Sequence, residues 1–200
     1  MTYNAIHGRV LGWDQSGLLF NMMPSGIPVA GKPKIFRFDS VSSRPGASAL
    51  NPLECEATMA AAVTKCTTAR GDIIVALSTH AEDLASATAL AIAKANITII
   101  GLGNGRARPT LTFTTANTAT IAVSAANVTF RNFRFVANFL SIAAAITLTT
   151  ATGFRCEQCA FHDTSGVLNF LNAIKSTGAA NTIDGIHIEG CKWLSLGTTS

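Results

Sequence analysis

From Asp72 onward the chain alternates apolar and polar positions in short runs, and four of those runs can be laid under one another. They are Asn96-Ile-Thr-Ile-Ile-Gly-Leu-Gly-Asn104, Asn127-Val-Thr-Phe-Arg-Asn-Phe-Arg-Phe135, Gly153-Phe-Arg-Cys-Glu-Gln-Cys-Ala-Phe161 and Gly185-Ile-His-Ile-Glu-Gly-Cys-Lys-Trp193. Each opens on a turn-forming residue, alternates inward and outward for about four residues, turns at Gly, Asn or Gln, and restarts as a second strand. Between them lie further β-prone pieces, at 109–113, 120–123, 145–149 and 168–171. Two or three short strands per repeat of about 30 residues predict the coils of a parallel β-helix, in which each coil buries its inner face only by stacking on the next. Three inward columns follow: Ile99, Phe130, Cys156 and Ile188; Leu102, Phe133, Cys159 and Cys191; Phe135, Phe161 and Trp193. Thr98, Thr129, Arg155 and His187 should point outward, as should Ile100, Arg131, Glu157 and Glu189. A β-sandwich would require neither the period nor the matched columns.

Upstream the pattern differs. Residues 51–71 predict a helix capping the solenoid, with Asn51 as N-cap, Pro52 in the first turn, Glu54 three residues after the cap, and Gly71 closing it. Leu53, Met59, Ala62, Val63 and Cys66 would form its buried face, and Cys55 and Cys66 would lie too far apart on it to bridge. Residues 1–50 are punctuated by Gly and Pro and predict an extended arm. Its apolar residues Trp13, Leu18, Leu19, Phe20, Met22, Met23, Ile35, Phe36 and Phe38 should pack on a neighbouring subunit. The domain boundaries are thus 1–50, 51–71 and 72–200.

Composition changes this picture little. Hydrophobic residues make up 48% and charged residues 13%, which excludes disorder for most of the chain. No run of about 20 apolar residues suits a membrane span, and no basic-then-apolar leader opens the sequence, so the expectation is cytoplasmic synthesis and no membrane partner. The five cysteines read as reduced thiols. The net charge of +4 is too small to indicate nucleic acid, but its distribution is uneven. Residues 84–156 carry Lys94, Arg106, Arg108, Arg131, Arg134 and Arg155 without a single acid up to Arg155. Arg106, Arg108, Arg131 and Arg134 are therefore read as a basic surface for contact with other subunits.

Local clusters with chemical potential are weaker. Cys156-Glu-Gln-Cys159 has the spacing of half a zinc site, but its cysteines occupy inward slots that other coils fill with Phe, Ile or Leu, so core thiols are expected and no metal. His80, Glu82 and Asp83 read as a solvated loop, and Gly101-Leu-Gly-Asn-Gly-Arg-Ala-Arg108 as a turn rather than a phosphate loop, since no helix pattern follows. Glycoside hydrolysis needs two carboxyl groups about 5 to 10 Å apart. The best pair is Glu157 with Glu189, with Asp184 as a third candidate.

The order helix, Gly71-Asp-Ile-Ile-Val-Ala-Leu77, Thr79-His-Ala-Glu82, Asn96-Ile-Thr-Ile-Ile-Gly-Leu-Gly-Asn-Gly105 and Arg108-Pro-Thr-Leu-Thr-Phe113 resembles the pectin-lyase-like superfamily, which implies a right-handed parallel β-helix. More narrowly it resembles β-helix proteins of tailed-bacteriophage virions. Asn181-Thr-Ile-Asp184-Gly185 is similar to a polygalacturonase motif, but Ile183 interrupts it and the later catalytic elements are missing. The resemblance implies a virion structural protein, first as a capsid decoration or head-fibre protein. Its expected partners are copies of itself, as a trimer, and the major capsid protein or other virion proteins, with no cofactor and no catalysis. The alternative is a tail fibre or tailspike that binds or cleaves host polysaccharide.

Overall fold

The computed structural model describes the backbone of residues 10–13 and 19–22, and residues 32–44, 54–179 and 182–196 with their side chains. Val10–Trp13 (β1) and Leu19–Met22 (β2) form an antiparallel pair. The other strands build three parallel sheets. The first contains Ile35–Phe38 (β3), Ile73–Ala76 (β4), Thr98–Gly101 (β7), Thr129–Arg131 (β10), Arg155–Glu157 (β13) and His187–Glu189 (β16). The second contains Ala81–Leu84 (β5), Thr110–Phe113 (β8), Arg134–Ala137 (β11), Ala160–Asp163 (β14) and Lys192–Leu194 (β17). The third contains Leu90–Ile92 (β6), Ile121–Val123 (β9), Ile146–Leu148 (β12) and Ile174–Ser176 (β15). The chain visits the sheets in rotation, so β4 to β15 make four complete coils of a parallel β-helix, β3 lies ahead of them, and β16 and β17 begin another.

The corner entering the first sheet shows why the sequence repeats as it does. Gly71, Asn96, Asn127, Gly153 and Gly185 precede five successive strands of that sheet, and all have φ between 55° and 81°. That left-handed conformation strains most side chains but suits Gly and is tolerated by Asn. Asn127 also donates from Nδ2 to Asn96 Oδ1 at 2.9 Å, joining adjacent coils at the corner.

The first inward column is as expected: Ile99 pairs with Phe130, Phe130 with Cys156 and Cys156 with Ile188. The third is also as expected, through Phe135, Phe161 and Trp193. The second is corrected at one place. Arg134 pairs with Thr110, so Pro109 rather than Leu102 stands before Phe133. Leu102 to Arg108 form a longer corner containing a short 3-10 turn at Gly105–Ala107. Phe130, Phe133, Phe135 and Phe154 are fully buried with contacting ring centroids 5.9 to 6.3 Å apart, three of the contacts within one coil and that of Phe130 with Phe154 reaching the next.

The N-terminal end is closed by a helix shorter than the spacing predicts. It spans Met59–Lys65 (α1), with Thr58 as N-cap, its hydroxyl accepting from Ala61 N at 3.1 Å. Asn51, Pro52 and Leu53 lie outside the described residues, and Cys66 rather than Gly71 ends the helix. Cys55 precedes it in a parallel bridge with Ser43. Met59, Ala62 and Val63 face the core.

The arm is corrected too. Ile35, Phe36 and Phe38 are buried in this chain's own first sheet, where β3 pairs with β4. The Pro and Gly residues that break the preceding segment do not prevent a four-residue strand from joining an existing sheet edge. Leu18 and Met23, and the side chains of Trp13, Leu19, Phe20 and Met22, lie outside the described residues.

Candidate functional site

The second sheet carries a groove on its outer face. Along β11 and β14 the inward residues are Phe135, Ala137, Phe161 and Asp163, so Arg134, Val136, Ala160 and His162 project outward. Arg134, Ala160 and Lys192 stand at one level on successive coils, with His162 and Leu194 at the next. The small Ala160 side chain between two long cationic ones makes the floor. The wall is the corner of residues 102–108, which carries Arg106 and Arg108. It is held tightly: an added Cβ on Gly103 would lie 2.2 Å from the Ala107 carbonyl oxygen, and Gly103 has φ of 89°. Asn132 Nδ2 donates to the carbonyls of both Gly101 and Gly103 at 2.8 Å, tying this wall to the next coil.

The result is a groove of about 610 Å³ lined by Gly105, Arg106, Arg108, Arg134, Ala160, His162, Lys192 and Leu194. Its lining holds three guanidiniums, one ammonium, one imidazole and no carboxylate. Arg108 Nε and Arg134 Nε are both buried and have no hydrogen-bond partner among the described residues. A buried unpaired donor on a cation carries a desolvation cost of about 1–3 kcal/mol or more. Burial, then the charges of Arg134 and Arg108, hold the His162 imidazole below its ordinary range, and Asp163 only partly opposes them.

Of the basic surface read from sequence, the fold brings Arg106, Arg108 and Arg134 together. Arg131 is exposed on the first sheet, opposite Ile100 and Glu157, and does not line the groove. Sequence reasoning does not single out His162 and Lys192. The signal for Lys192 is the outward position before Phe135, Phe161 and Trp193, which the alignment of the repeats contains, whereas His162 stands one residue beyond the aligned segments.

Glu157 and Glu189 are neighbours on β13 and β16. Arg155 lies 3.8 Å from Glu157, and His187 lies 3.0 Å from Glu189. Asp184 is exposed, and its carbonyl accepts from Gly153 N at 2.7 Å. None of these three carboxylates lines this groove.

The cluster at His80 is a structural clip and not a solvated loop. His80 is buried, its Nδ1 accepts from Ser40 N at 3.1 Å, and its ring packs edge-on against Phe38 at 4.5 Å. That leaves Nε2 to donate to Glu82 Oε2 at 3.2 Å, and the same oxygen accepts from Met59 N at 2.9 Å at the start of α1. Asp83 is exposed. All five cysteines are free. Contact with the Cys159 and Cys191 thiols, together with burial, keeps Cys156 protonated. Among the described residues no group of three or more His, Cys, Asp or Glu side chains is placed to hold a metal, and no helix is long and apolar enough to cross a membrane.

No family model and no curated protein matches this sequence. Among solved structures it is similar to a rhamnogalacturonan lyase, at 11% identity and a TM-score of 0.41, over 84% of this chain and 59% of that one. The chain thus spans less than two thirds of that protein's length, and what its own strands establish is the architecture, a parallel β-helix bearing a cationic groove on one face.

Proposed function

We propose that this chain is a glycan-binding β-helix whose groove on the second sheet holds an acidic polysaccharide. The observation that carries the reading is the set of Arg106, Arg108, Arg134, His162 and Lys192 lining one groove that holds no carboxylate. Guanidiniums of this kind pair with carboxylate or sulfate groups, and the gain is largest where the donor has already lost its water. The groove residues belong to four consecutive coils, each about 4.8 Å from the next, so the cations follow the axis as charges follow one another along a linear polyanion. This is the tail-fibre or tailspike alternative of the sequence reading. In that role the chain belongs on a virion surface and the polysaccharide on a host envelope.

Calorimetric titration with polygalacturonate and with neutral dextran tests the reading. Polygalacturonate should bind, and dextran should not. Arg108→Gln and Arg134→Gln should each weaken binding about tenfold or more, as expected for losing a charged hydrogen bond of about 1.5–3 kcal/mol. The affinity should also fall with added salt. Equal binding of both polymers, or unchanged affinity in both variants, would overturn it.

An assembly role is the second reading: Arg106, Arg108 and Arg134, expected as a surface for contact with other subunits, line one groove that carries no carboxylate and would suit an acidic patch on a neighbouring virion protein. Capsid attachment and trimer formation would then use the same basic surface. Cross-linking of purified particles to the major capsid protein tests them, and recovery of the chain without such cross-links would count against a decoration role.

A further inference from the structure

We propose that Cys156 and Cys191 are an oxidisable pair, which a peroxide closes into a disulfide between two stacked coils. The inference does not depend on what the groove holds. It rests on a contact made inside the solenoid, between the coil of β13 and the coil of β16.

The contact follows from the corner that leads from the first sheet to the second. In the coil of β13 that corner is turned by Gln158, with φ of 54°, and in the next coil by Gly190, with φ of 60°. The inward residues just before and just after such a turn converge. One coil earlier they are Phe130 and Phe133, whose ring centroids are 5.9 Å apart. In the coil of β13 they are Cys156 and Cys159, and in the following coil Ile188 and Cys191. Three of the chain's five cysteines therefore meet at one corner.

Within this group the geometry selects one pair. Cys191 Sγ lies 3.7 Å from Cys156 Sγ. A disulfide needs about 2.0 Å, so small rotations of the two side chains are enough to bring the sulfurs together. Cys159 Sγ sits against the carbonyl oxygens of Glu157 at 3.4 Å and Phe130 at 4.0 Å. Cys66 is remote from the group, its thiol donating to Ala62 O at 3.6 Å in α1, and Cys55 is bridged to Ser43 ahead of that helix. Packing alone asks only for a small apolar side chain at these corner positions, which Ala or Val supplies as well as Cys does. Sulfur placed against sulfur adds a reaction.

The order of that reaction follows from the surroundings of the two thiols. Hydrogen bonds from the Cys156 thiol, then from the Cys159 thiol, hold Cys191 below the ordinary thiol range, so Cys191 is the sulfur that ionises. Its thiolate attacks one oxygen of hydrogen peroxide and breaks the O–O bond, giving the Cys191 sulfenic acid and hydroxide, which takes up the thiol proton as water. The Cys156 thiol, still protonated, then attacks the sulfenic sulfur. The S–S bond forms, the S–O bond breaks, and the departing hydroxide leaves with the Cys156 proton as a second water. Two thiols are oxidised by two electrons, and one peroxide is reduced to two waters. The bond ties together residues 35 apart in sequence, on coils that otherwise hold each other by backbone hydrogen bonds and packing.

Thiol counting and peptide mass mapping on the full chain, reduced and then treated with hydrogen peroxide in the folded state, give the test. Free thiols should fall from five to three, and the map should show a Cys156 to Cys191 link that dithiothreitol reverses. The oxidised protein should melt about 5 °C or more above the reduced one, as expected for closing a loop of this length. Cys191→Ser should keep its remaining thiols free under the same treatment, and Cys159→Ser should still form the link. The wild-type map stands whether or not either variant folds. Five free thiols after treatment, a link between any other pair, or a sulfenic or sulfinic acid at Cys191 that Cys156 leaves unresolved would each overturn the proposal.

Discussion

Removing the Asp72 carboxylate should produce a stability loss whose size and pH dependence both follow from its surroundings. Asp72 is fully buried just before β4. Its Oδ1 accepts from Lys34 N at 2.9 Å and Arg70 Nε at 2.6 Å, and its Oδ2 from Thr67 N at 2.8 Å and Arg70 Nη2 at 2.6 Å. One side chain thus joins the segment entering β3, the exit of α1 and the first complete coil. Asp72→Ala strands two amide donors and the largely buried Arg70 guanidinium, which is 13% exposed. Breaking one side of such a pair costs about 3–5 kcal/mol. At about 2–4 °C per kcal/mol for a chain of this size, the melting temperature should fall by about 6–20 °C. Burial alone would raise the Asp72 pKa, but the Arg70 hydrogen bonds and the amides of Lys34 and Thr67 outweigh it and leave the carboxyl below its usual range. With the folded value below the unfolded value near 3.9, the carboxylate stabilises the fold above about pH 4, and this is lost as pH falls through the folded pKa. Urea titrations of wild type, Asp72→Ala and Asp72→Asn between about pH 7 and about pH 2.5 measure both effects, since that range spans the loss. The wild-type advantage over Asp72→Asn should be largest near neutrality and shrink in acid. A loss below about 1 kcal/mol in Asp72→Ala, well under the range for a broken buried pair, or an advantage over Asp72→Asn that does not change with pH, would refute the reasoning.

Two further outcomes are expected. Phe130→Ala, at the centre of the aromatic cluster, should cost about 3–5 kcal/mol in urea unfolding while leaving the circular dichroism of the folded state that of a β-protein. Because burial and Arg134 hold the His162 imidazole below its ordinary range, the groove gains a further positive charge only on acidification. Polygalacturonate affinity should therefore rise as pH falls below about 6.5, by calorimetry, and His162→Gln should flatten that rise.

How much of the site can be read from the chain depends on what each residue's position rests on. Arg134 is legible because it sits one residue before the inward Phe135, where strand alternation sets its direction. Arg106 and Arg108 are legible as charges only. They belong to a corner longer than its counterparts at Asn132–Phe133 and Gln158–Cys159, and nothing local states which coil that corner leans over. His80 and Glu82 look like a solvated loop for a related reason. Their neighbours Ser40 and Met59 are distant in sequence, and only the return of the chain to the first sheet brings them into hydrogen-bond range.

The sequence by itself determined the coil, its first and third inward columns and the corners that enter the first sheet. A two-residue alternation dictates which side chains turn inward, and the left-handed corner before each strand of the first sheet from β4 onward restricts that place to Gly or Asn. Both constraints act within a few residues and leave their mark at every repeat. Tertiary structure alone decided where β3 would pack, how the N-terminal end would be closed, and that Arg106, Arg108, Arg134, His162 and Lys192 would share a groove while Arg131 would not. Those outcomes depend on stacking between coils about 30 residues apart and on the length of one corner. A shift of one residue in either would send the same side chains to another face.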